Sequence, residues 1–202
     1  MRTNQEFKDA ALASLQDNWT SIVLAAIICL LIVGGVSVIP RVGNLIYIFV
    51  GLPLVFGWSI AVLRFVRGEK QETVTNMFDV FKDYKRFLGT SLLQGLLICL
   101  WTLLLIVPGI MKSYSYAMTP FLMHDNPNLS YMEALKKSEQ MMYGHRWDLF
   151  MLHLSFIGWI LLSCITFGLG FFFLMPYMGT ATVEFYNDLK SETVESTFAK
   201  AE

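Results

Sequence analysis

Long apolar stretches alternate with short polar blocks along this chain, and the alternation occurs three times. A transmembrane helix needs about 20 mostly apolar residues to cross a hydrocarbon core about 30 Å thick. The pattern predicts six such helices, at 19–39, 44–66, 87–107, 109–123, 148–166 and 171–188. The fourth is short, so either the bilayer thins around it or it packs within the protein. The fold class is therefore predicted to be an all-α integral membrane protein.

An amphipathic helix is predicted before each apolar hairpin, at 4–18, 75–86 and 130–143. In the first, Phe7, Ala11 and Leu15 recur at the spacing of one helical stripe. Two of the blocks begin with capping boxes, Thr3-Asn4-Gln5-Glu6 and Ser130-Tyr131-Met132-Glu133. One amphipathic helix and the hairpin after it form one unit, so three units make a single membrane domain over 1–190, followed by a polar tail at 191–202.

The distribution of positive charge predicts the orientation of the helices. Of the 15 Lys and Arg residues, 13 fall on one side of the predicted spans and only two, Arg41 and Lys112, on the other. Positive residues concentrate on the cytoplasmic side, so both termini and the three amphipathic helices are predicted to be cytoplasmic. These interfacial helices either attract anionic lipid through their basic faces or pack against the inner ends of the spans.

Sequence motifs for catalysis are missing from the chain, which contains no nucleotide-binding glycine loop, no His-Glu-x-x-His and no Gly-x-Ser-x-Gly. The three cysteines lack the close spacing of a metal site or disulfide. His124-Asp125 and the pair His145 and Asp148 lie at polar span ends, where capping and solvation explain them. We expect no enzyme activity, no catalytic residue, no cofactor and no metal.

Three polar residues lie inside predicted spans at similar depth below the cytoplasmic boundary: Gln94, His153 and Glu184. Ionisable groups inside a membrane are costly and mark functional sites more often than surface ones do. Because spans 5 and 6 form a hairpin, His153 and Glu184 are close enough to meet. The three form a candidate intramembrane polar cluster, either a proton-sensitive or substrate-contacting site or a set of interhelical hydrogen bonds.

A second candidate site surrounds Lys112, one turn inside the predicted outer end of span 4. A lysine at this depth either extends its side chain outward to water or contacts an anion or lipid headgroup in the outer leaflet. Ser113 and Tyr116 continue a polar stripe along the same helix and favour the second interpretation.

Several motifs are similar to those of one bacterial family. Residues 106–120 resemble its central signature, and Asp125-Asn126-Pro127, Gly144-His145-Arg146-Trp147 and Pro176-Tyr177 follow in order. The chain thus resembles, over nearly its whole length, the small multi-pass proteins grouped as domain of unknown function 975. The resemblance implies a protein of the bacterial cytoplasmic (inner) membrane. It implies no catalytic residues, because that family has no established activity.

Three functions are compatible with this sequence. The first is a non-enzymatic membrane protein that binds lipid or a partner protein through its cytoplasmic face. The alternative is a small-molecule or ion transporter or channel with a polar site in the inner half of the bundle. An intramembrane lipid-modifying enzyme is least favoured, because no catalytic pair is present. The expected partners are membrane lipids and either another protein or further copies of the chain, and not nucleic acid.

Overall fold

The computed structural model describes residues 2–16, 18–37, 39, 43–70, 72–166 and 168–199. Over these ranges the chain is all-α, without a strand. Its α-helices are α1 (Asn4–Leu15), α2 (Trp19–Ser37), α3 (Gly43–Ile46), α4 (Leu52–Val66), α5 (Thr73–Phe78), α6 (Tyr84–Leu104), α7 (Ile106–Ser115), α8 (Thr119–Asp125), α9 (Tyr131–Met141), α10 (Arg146–Leu154), α11 (Ile157–Ile165) and α12 (Phe171–Ala199).

In the described part of the chain, four helical stretches are long and apolar enough to cross a membrane: Trp19–Val36, Gly43–Val66, Tyr84–Leu104 and Arg146–Ile165. They correspond to the predicted spans 1, 2, 3 and 5. Predicted span 4 is divided between α7 and α8. Predicted span 6 lies in α12, which is long enough but carries the acidic residues Glu184 and Asp188.

The two predicted capping boxes are confirmed. Thr3 and Ser130 are the N-caps of α1 and α9, and each forms the reciprocal capping box with the glutamate three residues later. The predicted stripe of α1 is also buried, with Phe7, Ala11 and Leu15 at 1%, 0% and 0% exposure. Capping and burial of one apolar face together explain why these short segments are helical.

The three units form a closed ring. The amphipathic helix of each unit packs against the second half of the hairpin before it: α5 on α4, α9 on α7 and α8, and α1 on α12. The helices approach closely at small residues. A Cβ on Gly57 of α4 would overlap the carbonyl oxygen of Met77 in α5, and Ser138 Oγ of α9 donates to the carbonyl of Ser115 in α7 at 2.8 Å. The interfacial helices therefore pack on the bundle.

An ion pair lies at each contact of the ring. Arg64 Nη1 of α4 is 2.6 Å from Asp79 Oδ2, just after α5. Lys112 Nζ of α7 is 2.5 Å from Glu139 Oε1 of α9. In the third contact, a side-chain nitrogen of Arg2 lies 3.4 Å from Glu184 of α12. Opposite charges thus link each unit to the next.

The turn between α6 and α7 lies at a different residue from the one predicted. The predicted boundaries of spans 3 and 4 place the turn at Pro108, but the extended residue is Leu105, with φ −158° and ψ 139°, and α7 already begins at Ile106. Proline fits the first turn of a helix because the amide groups there have no helical acceptor. Gly109 then lies against α6, where a Cβ would overlap Thr102.

Two further predicted spans, 2 and 5, contain interruptions. A π-helical turn, Tyr47–Gly51, precedes α4 and its second residue, Pro53. Proline removes a backbone donor, and a π-helical turn beside it is a common way for a helix to accommodate that loss. Span 5 is interrupted between α10 and α11, where Lys8 Nζ donates to the carbonyl of Ser155 at 2.8 Å.

Candidate functional site

The C-terminal ends of α4 and α8 meet the middle of α12 at the carboxylate of Asp125, whose side chain is only 7% exposed. Arg67 donates to its two oxygens at 2.5 and 2.9 Å, Lys190 Nζ lies at 2.5 Å, and the Tyr186 hydroxyl donates at 2.8 Å. His124 Nδ1 is 3.4 Å away. One carboxylate from the second unit therefore binds cations from the first and third. We call this group the Asp125 junction.

The surroundings of Asp125 hold it in the charged form. Burial by itself would raise the pKa of this carboxyl. Hydrogen bonds from Arg67, His124, Lys190 and Tyr186 outweigh burial and hold the pKa of Asp125 far below its usual range. The junction therefore stays ionised throughout the physiological pH range.

A second network adjoins the junction through His124. Arg64 Nε donates to His124 Nε2 at 3.0 Å, and Arg64 Nη1 donates to Asn76 at 2.9 Å and Asp79 at 2.6 Å. Since Nε2 accepts this bond, the proton of the neutral ring is assigned to Nδ1, which faces Asp125. Burial raises the pKa of Asp79, but bonds from Lys82 and Arg64 outweigh burial and lower it overall. His124 thus connects two charged groups.

Arg86 caps the C-terminal end of α8, and both belong to the second unit. Its Nη2 donates to the carbonyl oxygens of Met123 and Asn126, both at 2.8 Å. Its Nε is buried and has no hydrogen-bond partner in the described structure. A buried donor without an acceptor is unfavourable unless a ligand or water satisfies it.

A cavity of 260 Å³ lies between these groups. Its charged lining consists of Arg64, Lys82, Arg86, Asp79 and Asp83, together with His124. The basic groups outnumber the acidic ones, and the side chains converge from α4, the start of α6 and α8. We call this the basic pocket. Its chemistry suits an anion that accepts hydrogen bonds.

The three members of the predicted intramembrane cluster do not bond to one another among the described residues. His153 Nε2 lies 3.1 Å from Thr182 Oγ1. Glu184 is 3.4 Å from Arg2 Nη1, and a buried Gln94 Oε1 has no partner among the described residues. No hydrogen bond or ion pair in the described part of the chain joins Gln94, His153 and Glu184 to one another.

Lys112 lies beside a helix that was predicted to lie on the other side of the membrane. Its ammonium pairs with Glu139 and lies 5.3 Å from the ring of Trp101 and 5.6 Å from that of Tyr116. Glu139 belongs to a helix assigned to the cytoplasmic side. Two side chains 2.5 Å apart do not lie on opposite sides of a core about 30 Å thick. Ser113 Oγ donates to the carbonyl of Ile110 at 2.7 Å within its own helix.

The Asp125 junction was missed because His124-Asp125 was interpreted only as a solvated span end. The sequence does contain a signal for it. Arg67, Asp125 and Lys190 each lie just beyond the cytoplasmic end of an even-numbered predicted span. Opposite charges at matching ends of three packed helices are expected to meet.

No group of three or more His, Cys, Asp or Glu side chains suited to a metal ion occurs in the described part of the chain. Comparison with curated proteins and with solved structures gives no match. One family does match, over residues 103–193, which is a shorter region than the resemblance predicted from the sequence. This stretch contains Asp125, Tyr186 and Lys190 of the junction, while Arg67 lies outside it. Residues 103–193 match the model of the family described as Protein of unknown function (DUF975).

Proposed function

We propose that this chain is a non-enzymatic integral membrane protein that binds the headgroup of an anionic lipid in the basic pocket on its cytoplasmic face. Four helices of membrane-spanning length and composition support the location in a membrane. The cytoplasmic leaflet carries anionic lipids and attracts basic groups near its surface. A pocket at the helix ends on that side is within reach of a headgroup.

The buried Nε of Arg86 carries the proposal. This arginine donates to two carbonyl oxygens, which leaves its positive charge and its Nε without a bonded carboxylate. Guanidinium groups bind phosphate oxygens through paired hydrogen bonds, and such charge-assisted bonds are roughly twice as strong as neutral ones. A phosphate oxygen in the basic pocket would supply the acceptor that Arg86 Nε lacks.

The other basic groups of the pocket are already partly neutralised. Asp79 accepts from Arg64 and pairs with Lys82 at 2.7 Å. A lipid phosphate would therefore join an existing network in which Lys82 is 79% exposed and free to turn toward it. This arrangement favours modest, salt-sensitive binding over permanent capture.

The test uses nanodiscs that contain equal amounts of phosphatidylglycerol and phosphatidylcholine, with bound lipid measured by native mass spectrometry. Wild-type protein should retain phosphatidylglycerol preferentially. Arg86→Gln should lose the preference, and Lys82→Gln should weaken it without removing the bonds that close α8. The matched control is Lys85→Gln, which removes the same charge at an exposed neighbour outside the pocket. Equal retention by all four proteins would refute the proposal.

A second candidate function is transport of an ion or small molecule. One observation favours it: the interruption between α7 and α8 lies near the one between α10 and α11, and the ring of Tyr114 is 5.7 Å from that of His153. Interrupted helices surround the substrate sites of many transporters. The basic pocket, however, is not lined by Gln94, His153 or Glu184.

Proteoliposomes with an imposed membrane potential and an enclosed pH-sensitive dye test this candidate with protons as the probe. If protons pass along His153 and the neighbouring polar residues, the wild type should show proton flux and His153→Gln should lose it. Flux that is equal in the wild type, in His153→Gln and in empty liposomes would eliminate protons as the substrate.

A further inference from the structure

A second cavity, of 560 Å³, lies between the first and third units, away from the basic pocket. It is bounded by the end of α1, the start of α2, α11 and the start of α12. None of the residues that line it is charged. Its volume is within the range of about 300–1,000 Å³ typical of small-molecule sites. We call it the apolar cavity.

Two of the three side-chain hydroxyl groups in the lining are already hydrogen-bonded to the backbone. Ser163 Oγ donates to the carbonyl of Trp159 at 2.7 Å. Thr166 Oγ1 donates to the carbonyl of Ser163 at 3.0 Å and accepts from the amide of Gly170 at 3.2 Å. These groups offer little to a polar ligand or to a water molecule. Cavities lined in this way exclude water and accept apolar molecules.

The opening of the cavity is continuous with apolar surface. Trp159, Leu162, Leu169 and Phe173 line it and are 54%, 50%, 65% and 58% exposed. Two of these residues belong to the candidate span Arg146–Ile165, most of which is not buried inside the protein. In a bilayer the molecules against such a surface are lipid chains, which have direct lateral access to the cavity.

Aromatic residues identify which part of a lipid fits. Trp19 and Phe173 contact each other at 6.2 Å between ring centroids, and Trp159 and Tyr177 also line the cavity. Tryptophan and tyrosine concentrate at the level where acyl chains join headgroups. Rigid rings beside an apolar space provide packing for a hydrocarbon chain and leave the headgroup outside.

We propose that the apolar cavity holds one acyl chain of a membrane phospholipid. This site is separate from the proposed headgroup site: it selects for hydrocarbon and is indifferent to headgroup charge. The two sites lie at different contacts of the ring, the apolar cavity between the third and first units and the basic pocket between the first and second.

The experiment uses nanodiscs of phosphatidylcholine in which a fraction of the lipid carries a diazirine on one acyl chain. Irradiation followed by peptide mass spectrometry locates the adducts. Wild-type protein should concentrate adducts on α11 and the start of α12. Leu162→Trp, which fills the cavity, should reduce that yield several-fold. Leu161→Trp is the matched control, because Leu161 is 60% exposed on the same helix and does not line the cavity.

Two results would overturn the inference. One is an unchanged adduct yield in Leu162→Trp. The other is an even spread of adducts over all exposed apolar surface, including the 84% exposed Leu103 at the end of α6. Thermal unfolding of both tryptophan variants shows that each has folded. Because the lipid is zwitterionic, Arg86→Gln should label like the wild type, so the two proposed sites succeed or fail independently.

Discussion

Replacing Asp125 with asparagine removes the one negative charge of the Asp125 junction and keeps the shape of the side chain. Arg67 and Lys190 then face each other without a carboxylate between them. Removing one partner of a fully buried ion pair costs about 3–5 kcal/mol. The cations here are 34% and 46% exposed, so solvent compensates for part of that loss. We expect Asp125→Asn to lower the free energy of unfolding by about 2 kcal/mol.

Thermal unfolding in detergent, followed by intrinsic tryptophan fluorescence, measures this change. For a chain of this size, about 2 kcal/mol corresponds to a fall in Tm of about 4–8 °C. The control is Asp148→Asn, since the side chain of Asp148 is 48% exposed and its contact is His145 at 3.3 Å. The control should stay within about 0.5 kcal/mol of the wild type. An Asp125→Asn variant as stable as the control would show that the junction does not hold the three units together.

The pH dependence of the same variant gives an independent check. The pKa of Asp125 is lowered in the folded protein, so its contribution is present above the pKa of an unfolded aspartate, about 3.9. That contribution is lost as the pH falls below this value toward the folded pKa. The stability difference between wild type and Asp125→Asn should therefore be constant from about pH 5 to 8 and shrink below about pH 4. A difference that disappears near pH 6 would contradict this reasoning.

Three further predictions concern the packing of the ring. Gly57→Ala should destabilise the protein by about 1–3 kcal/mol, because its Cβ overlaps the backbone of α5, whereas Gly95→Ala, with open space around it, should be neutral or stabilising. Ser130→Ala should cost about 1 kcal/mol by removing the capping box of α9, measured as a shift in Tm. Ser115→Cys combined with Ser138→Cys, in a background without native cysteines, should form a disulfide under mild oxidation because the two residues are in contact. Neither single variant should do so.

Features encoded within a few residues could be predicted from the sequence. The capping boxes at Thr3 and Ser130 and the buried stripe of α1 depend only on neighbours in the same helix. The all-α class follows from composition and from the length of the apolar stretches. Each of these properties depends on residues within one helix and not on how the helices pack together.

Features that depend on how helices face one another were harder to predict. Uniformly apolar stretches carry no stripe that identifies which side turns toward a neighbour, so the contact between α7 and α9 was not foreseen. The pair between Lys112 and Glu139 joins residues that a charge count assigned to opposite sides. Likewise, Gln94, His153 and Glu184 match in depth, but depth does not fix direction around each helix axis. His153 and Glu184 bond to other residues, and Gln94 Oε1 has no partner among the described residues.

The packing of α1 on α12 has a consequence for the order of folding. Arg2 contacts Asp188, so the contact joins residues 186 positions apart. During synthesis α1 emerges long before α12, and its apolar face has no partner until the third unit is complete. Contacts between residues so distant in sequence form late. Until they form, the exposed apolar face can bind the wrong partner and lead to misassembly. A chain interrupted before α12 should therefore leave Phe7, Ala11 and Leu15 exposed, which would mark an unfinished molecule for a chaperone or protease.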